Sequence, residues 1–242
     1  MGVVLAAGVL LSTATAAVAA EDRVLPLADG TQLRYGLHTP ESLGDELVPL
    51  IVGLHYGWGG GPRPPAYYGR DYMNLLVLPA LAEVGAIIVA PDCPGRGWGD
   101  ARSDAAILAL IESVQDEFPV DPERIVITGY SLGGMGTWTF VSRHPEIVSA
   151  AIPVAGRPAP EMIANWDGTP VLAIHSELDE VVPIGPTRDA IEALRGRQFD
   201  AELEAVPNLT HYQTPRFATP LRRAVSWLEQ VWATAADSWS ES

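Results

Sequence analysis

"VITGYSLGGMGTW", residues 126–138, decides how the rest of the chain is read. An apolar, β-branched run stops at Gly129, a lone serine stands at 131, and Gly133 and Gly134 lead into a segment of helical pattern. The spacing Gly129-Tyr130-Ser131-Leu132-Gly133 is G-x-S-x-G in the order strand, corner, helix. Glycines two before and two after the serine clear side chains from a sharp corner, so the hydroxyl projects. Leu132 then opens a helix whose first amides lack partners inside the helix and suit a developing negative charge.

Outward from that corner, short apolar runs recur at 49–55, 85–91, 124–130, 149–156 and 170–176. Runs of this length predict strands buried on both faces of a parallel sheet. Residues 31–40 and 200–206 alternate in polarity, as exposed or edge strands do. Helical spacing falls between them, over 71–84, 103–117, 132–143, 186–196 and 218–233. Strands alternating with helices imply a single α/β domain over 21–242, a mostly parallel sheet of about eight strands flanked by helices.

Bulk composition narrows the function. The chain has 242 residues, 48% hydrophobic and 19% charged, with a formal net charge of −15. All fifteen basic residues are arginine, and so acidic a chain is a poor match for nucleic acid. Residues 1–20 form an apolar run that ends in small residues before Glu21-Asp22, the pattern of a secretory signal peptide, although no Arg or Lys occurs within it. This predicts a secreted or periplasmic protein with no stable membrane insertion after processing. Cys93 is the single cysteine, so no internal disulfide is expected.

A serine is inert at neutral pH without a base, and the base needs an acid to orient it. In this strand order the acid follows a later strand and the histidine comes last. The loop after 170–176 offers Glu177, Asp179 and Glu180, and spacing from His175 and Pro183 favours Asp179. Of the five histidines, only His211 combines late position with a loop context. His38 and His144 sit beside turn signals and read as surface residues, His175 ends a buried strand and reads as core, and His55 belongs to a glycine loop.

On "DPERIVITGYSLGGMGTW" (121–138), "HSELDEVVP" (175–183) and "GAIIVAPDCPGRGW" (85–98), the chain resembles α/β-hydrolases. It is most similar to small bacterial esterases and to prolyl-oligopeptidase-like or dienelactone-hydrolase-like serine hydrolases. In such relatives the second motif usually reads H-G-x-x-D-x-x-V-P; here Ser176 replaces the glycine, and the usual H-x-x-W ending is absent at His211. The resemblance implies a Ser131, Asp179, His211 triad that forms an acyl-enzyme. It also implies an oxyanion hole from the Leu132 amide and from "GLHYGWGGG" (53–61), where Tyr56 serves through its hydroxyl or its amide.

Trp58 and Trp98 are expected to wall a substrate pocket, and Arg63 and Arg70 are candidates to meet an anionic one. About a dozen residues separate Gly156 from Pro170, too few for a cap. That favours small-molecule or polymeric esters over lipid interfaces. No H-E-x-x-H spacing occurs, and the triad mechanism itself needs no cofactor. A serine peptidase of the prolyl-oligopeptidase type and a non-catalytic binding protein of the same fold are the alternatives. A dehalogenase would want aspartate at 131, and a dienelactone hydrolase commonly cysteine.

Overall fold

Alternate residues of the central strands divide between two cores. In β3 (Val48–Leu54), Leu50, Val52 and Leu54 face one core while Ile51 faces the other. In β5 (Val120–Tyr130), Ile125 and Ile127 oppose Val126 and Tyr130. A strand apolar on both faces cannot lie against water, and each fully buried aliphatic side chain contributes about 1.5–3 kcal/mol. The sheet must therefore be covered on both sides.

The structure, a computed structural model, describes residues 20–41, 43–58 and 66–240. The expected leader, save Ala20, and Arg63 lie outside the described residues. Eight strands form one sheet in the order β1-β2-β4-β3-β5-β6-β7-β8. The remaining strands are β1 (Glu21–Pro26), β2 (Gln32–His38), β4 (Ile87–Pro91), β6 (Ala150–Val154), β7 (Val171–Ser176) and β8 (Ala201–Val206). β1 pairs antiparallel with β2 and β2 with β4; every other pairing is parallel. This is the expected α/β-hydrolase sheet.

One core packs under α3 (Ala101–Glu117), α4 (Leu132–Arg143) and α6 (Gly185–Gly196). The other lies under the helical run 68–84 and under α7 (Ala218–Leu221) and α8 (Ala224–Ser240). The run 68–84 comprises α1 (Tyr68–Tyr72), a π turn (Met73–Val77), α2 (Leu78–Leu81) and a 3-10 turn (Ala82–Val84). The Asp100 carboxylate caps α3 by accepting from the Ser103 amide at 2.8 Å, so the helix begins two residues before the expected start at 103.

Two elements differ from expectation. The edge strand β1 was not anticipated, because its charged Glu21, Asp22 and Arg23 look unlike a strand; such charges blunt an open edge. Between β6 and β7 stands α5 (Pro160–Ala164), a five-residue helix and no cap domain. From β3 the chain steps outward to β4, then returns to the other side of β3 as β5. Ligands of open α/β sheets sit at such a reversal, outside the carboxyl ends of the strands. Leu54 and Tyr130 end the two strands at that point.

Candidate active site

Ser131 occupies the corner between β5 and α4 with φ 56° and ψ −112°, a conformation that a non-glycine residue adopts only under constraint. Strain of this kind costs roughly 1–3 kcal/mol and clusters at functional corners. The glycines make it possible. A Cβ on Gly133 would collide with the Leu54 carbonyl, one on Gly129 with the Gly133 carbonyl, and one on Gly134 with the Val154 carbonyl. The Ser131 amide donates to Val154 O at 2.9 Å, and its own carbonyl accepts from Met135 in the first turn of α4.

The structure brings the three sequence-predicted side chains together. His211 Nε2 lies 2.8 Å from Ser131 Oγ, and His211 Nδ1 lies 2.7 Å from Asp179 Oδ2. Nδ1–H thus donates to the carboxylate, and Nε2 is free to accept the serine proton. The other oxygen, Asp179 Oδ1, accepts from the Val181 and Val182 amides at 3.0 and 2.7 Å. Burial raises the Asp179 pKa, but hydrogen bonds from His175, His211 and the two amides together outweigh it and hold the carboxyl well below its usual range. Glu177 is exposed beside Arg188, whereas Glu180 accepts the His211 amide at 2.9 Å. Asp179 is thus the acid that faces the imidazole.

His175, read from sequence as core, is fully buried and also touches the acid. Its Nε2–H donates to Val182 O at 2.7 Å and lies 3.4 Å from Asp179 Oδ2, while Nδ1 accepts from Thr187 Oγ1 at 3.0 Å. Sequence reasoning also passed over Tyr130, whose buried hydroxyl donates to His211 O at 2.7 Å. Its place beside the serine in the motif was the available signal. His144, taken as a surface residue, is partly buried and meets Asp104 at 3.0 Å.

The loop after β3 packs against the start of α4, where a Cβ on Gly57 would come within 3.4 Å of Leu132 Cδ2. His55 holds that loop: Nδ1–H donates to Tyr56 O at 2.8 Å, and Nε2 accepts from the Cys93 amide at 3.0 Å. Burial lowers the His55 pKa and favours this neutral form. The Tyr56 ring meets Tyr68, Tyr72 and Tyr130 edge-on, with centroids 5.4, 6.0 and 6.2 Å away. Tyr56 and Leu132, the two expected oxyanion contacts, therefore flank the serine corner from neighbouring strand ends.

Trp98 does not wall a pocket. It is 1% exposed, and its indole N–H donates to His55 O at 2.8 Å, so it braces the loop from beneath. A buried indole needs such a partner, and this burial takes Trp98 out of the substrate wall it is expected to form. Trp58 is half-exposed and lines a cavity of 420 Å³ with Tyr68, Arg34 and Arg102. That cavity sits over the ends of β3 and β4 rather than over Ser131. Arg70 pairs with Asp22 and Asp71 away from the triad. No cluster of metal-ligating side chains occurs among the described residues, and no described helix is long and apolar enough to cross a membrane.

An α/β-hydrolase sheet with a serine, an imidazole and a carboxylate in line at its carboxyl edge defines a class of protein. Within that class the chain belongs to the dienelactone hydrolase family, whose model matches residues 95–241 and so covers Ser131, Asp179 and His211. It is 32% identical to feruloyl esterase C of Emericella nidulans over 142 residues, 56% of this chain and 50% of that one. It is 29% identical to a protein of Aspergillus terreus described as a probable feruloyl esterase C, over 73% of this chain and 67% of that one. The chain thus spans between half and two thirds of these relatives.

Among solved structures, a thermostable esterase superposes with a TM-score of 0.70 at 22% identity, covering 88% of this chain and 63% of its own. Est1E from Butyrivibrio proteoclasticus superposes at 0.66 with 16% identity, covering 88% and 99%. These likenesses speak to the fold alone.

Proposed function

We propose that the protein hydrolyses carboxylic esters through an acyl-enzyme on Ser131. The observation that carries this reading is the unbroken line Ser131 Oγ, His211 Nε2, His211 Nδ1, Asp179 Oδ2, with contacts of 2.8 and 2.7 Å at either end of the imidazole. His211 takes the serine proton as Oγ attacks the acyl carbon, then returns it to the leaving alcohol. Water repeats the cycle and releases the acid. Asp179, already ionised, holds Nδ1–H in place and supports the imidazolium that forms.

The Leu132 amide is the first amide of α4 and has no partner within the helix, and with Tyr56 it receives the charge on the tetrahedral oxygen. Similarity to feruloyl esterases makes hydroxycinnamoyl esters the first substrates to examine. The short β6–β7 connection leaves the site without a cap, which suits soluble or polymer-borne esters. Export is proposed from the sequence of residues 1–20 alone.

The test is a panel of methyl and p-nitrophenyl esters of acetate, butyrate and ferulate, run beside short peptide nitroanilides. The reading predicts ester turnover that exceeds amide turnover. Faster cleavage of the nitroanilides would give precedence to a peptidase, and no turnover with no fluorophosphonate labelling would leave a binding protein.

A further inference from the structure

Where the motif of similar hydrolases carries glycine, this chain has Ser176, and the mechanism above makes no use of it. The residue is fully buried at the end of β7, three positions before Asp179. Its Oγ–H donates to Leu209 O at 2.5 Å, and the same oxygen accepts from the Leu178 amide at 3.1 Å. One hydroxyl thus joins the turn that carries the acid to the loop that carries the base. Leu209 lies two residues before His211 and directly after Asn208, whose φ of 64° marks the tight corner leaving β8.

Beyond Leu209, the loop is held at the histidine itself. Tyr130 donates to the His211 carbonyl from the serine side, and Glu180 accepts the His211 amide from the acid side. From these contacts we infer that Ser176 is a positioning residue for the triad: it clamps the acid turn to the histidine loop, so that Asp179 and His211 move as one body. The clamp rests on the reading of Ser131, Asp179 and His211 as a working triad.

The physical argument is one of satisfied polar groups. A glycine at 176 would leave the buried Leu209 carbonyl without its donor, which is costly, and would release the Leu178 amide of the exposed turn to solvent. Both loops would relax toward other acceptors, and the 2.7 Å contact between His211 Nδ1 and Asp179 Oδ2 would loosen with them. A displacement of about 1 Å in a catalytic constellation costs up to ~100-fold in rate. A loop still held by Tyr130 and Glu180 should lose less, roughly tenfold in kcat, since Ser176 lies far from bound substrate in the chain of contacts.

The experiment compares Ser176→Gly, Ser176→Ala and Ser176→Thr with the unaltered chain and with Ser131→Ala. Active sites are counted by fluorophosphonate titration, and kcat per site and KM are measured on p-nitrophenyl acetate. The downfield proton resonance of His211 Nδ1–H is followed by NMR. The clamp predicts kcat per site lowered about tenfold by glycine and alanine, KM within twofold, a shifted or broadened resonance, and recovery of both readouts in the threonine variant. Where glycine destabilises the chain, alanine, which keeps the Cβ, carries the same comparison. A fall in melting temperature with kcat per site and resonance unchanged overturns the clamp and leaves Ser176 a structural residue. Full turnover in Ser131→Ala would remove the triad reading itself, whereas an inactive Ser131→Ala beside fully active Ser176 variants removes the clamp alone.

Discussion

Asp179→Asn keeps the volume of the acid and removes its charge, and the structure dictates how the new amide must sit. Oδ1 receives the Val181 and Val182 amides at 3.0 and 2.7 Å, and two N–H donors require an oxygen there. The NH2 group then replaces Oδ2, 2.7 Å from His211 Nδ1 and 3.4 Å from His175 Nε2. His211 must answer with a lone pair on Nδ1, so the ring proton moves to Nε2. There it faces Ser131 Oγ at 2.8 Å and blocks acceptance of the serine proton. A wrong tautomer of this kind costs about 10⁴-fold in kcat in the Ser-His-Asp template, or ~5.4 kcal/mol of transition-state stabilisation. The assay is kcat on p-nitrophenyl acetate, with circular dichroism to show that the isosteric variant is folded. A loss smaller than about tenfold in a folded variant would refute the orientation argument.

Two further outcomes follow from the geometry. Because the folded-state pKa of Asp179 is depressed, its contribution to stability is complete above the unfolded value of about 3.9 and is lost as pH falls through the folded one. Urea midpoints measured from pH 6 to pH 3 should therefore fall less steeply below about pH 4 in Asp179→Asn than in the unaltered chain; parallel curves would contradict this. Trp98→Phe orphans the buried His55 carbonyl and should cost about 1–3 kcal/mol in chemical denaturation with KM unchanged. A raised KM at unchanged stability would return Trp98 to the substrate pocket.

The sheet was legible because its strands are short, apolar and separated by helical spacing, and seven of the eight were expected close to where they lie. β1 escaped because its residues are charged and belong to an edge, where burial leaves little pattern. The five-residue α5 was also missed, as a single turn carries no periodicity. Ser131, Asp179 and His211 could be chosen in advance because strand order restricts where an acid and a base can stand. Their supports were less legible. Tyr130 at least stands beside the serine in the motif, but His175, Ser176 and Glu180 act through contacts among β7, the turn after it and the loop after β8, and no local spacing records such contacts. Trp98 shows the converse: the sequence places it in a substrate wall, whereas the hydrogen bond to His55 O holds it in the core.

The central claim is that Ser131 is the atom acylated during turnover. Intact-mass spectrometry after brief exposure to p-nitrophenyl acetate at low pH, where deacylation is slow, tests it directly. One added acetyl group, mapped to the peptide containing Ser131 and absent from Ser131→Ala, is the predicted result. An acetyl group on any other residue, or turnover that persists at the original rate in Ser131→Ala, would contradict the account.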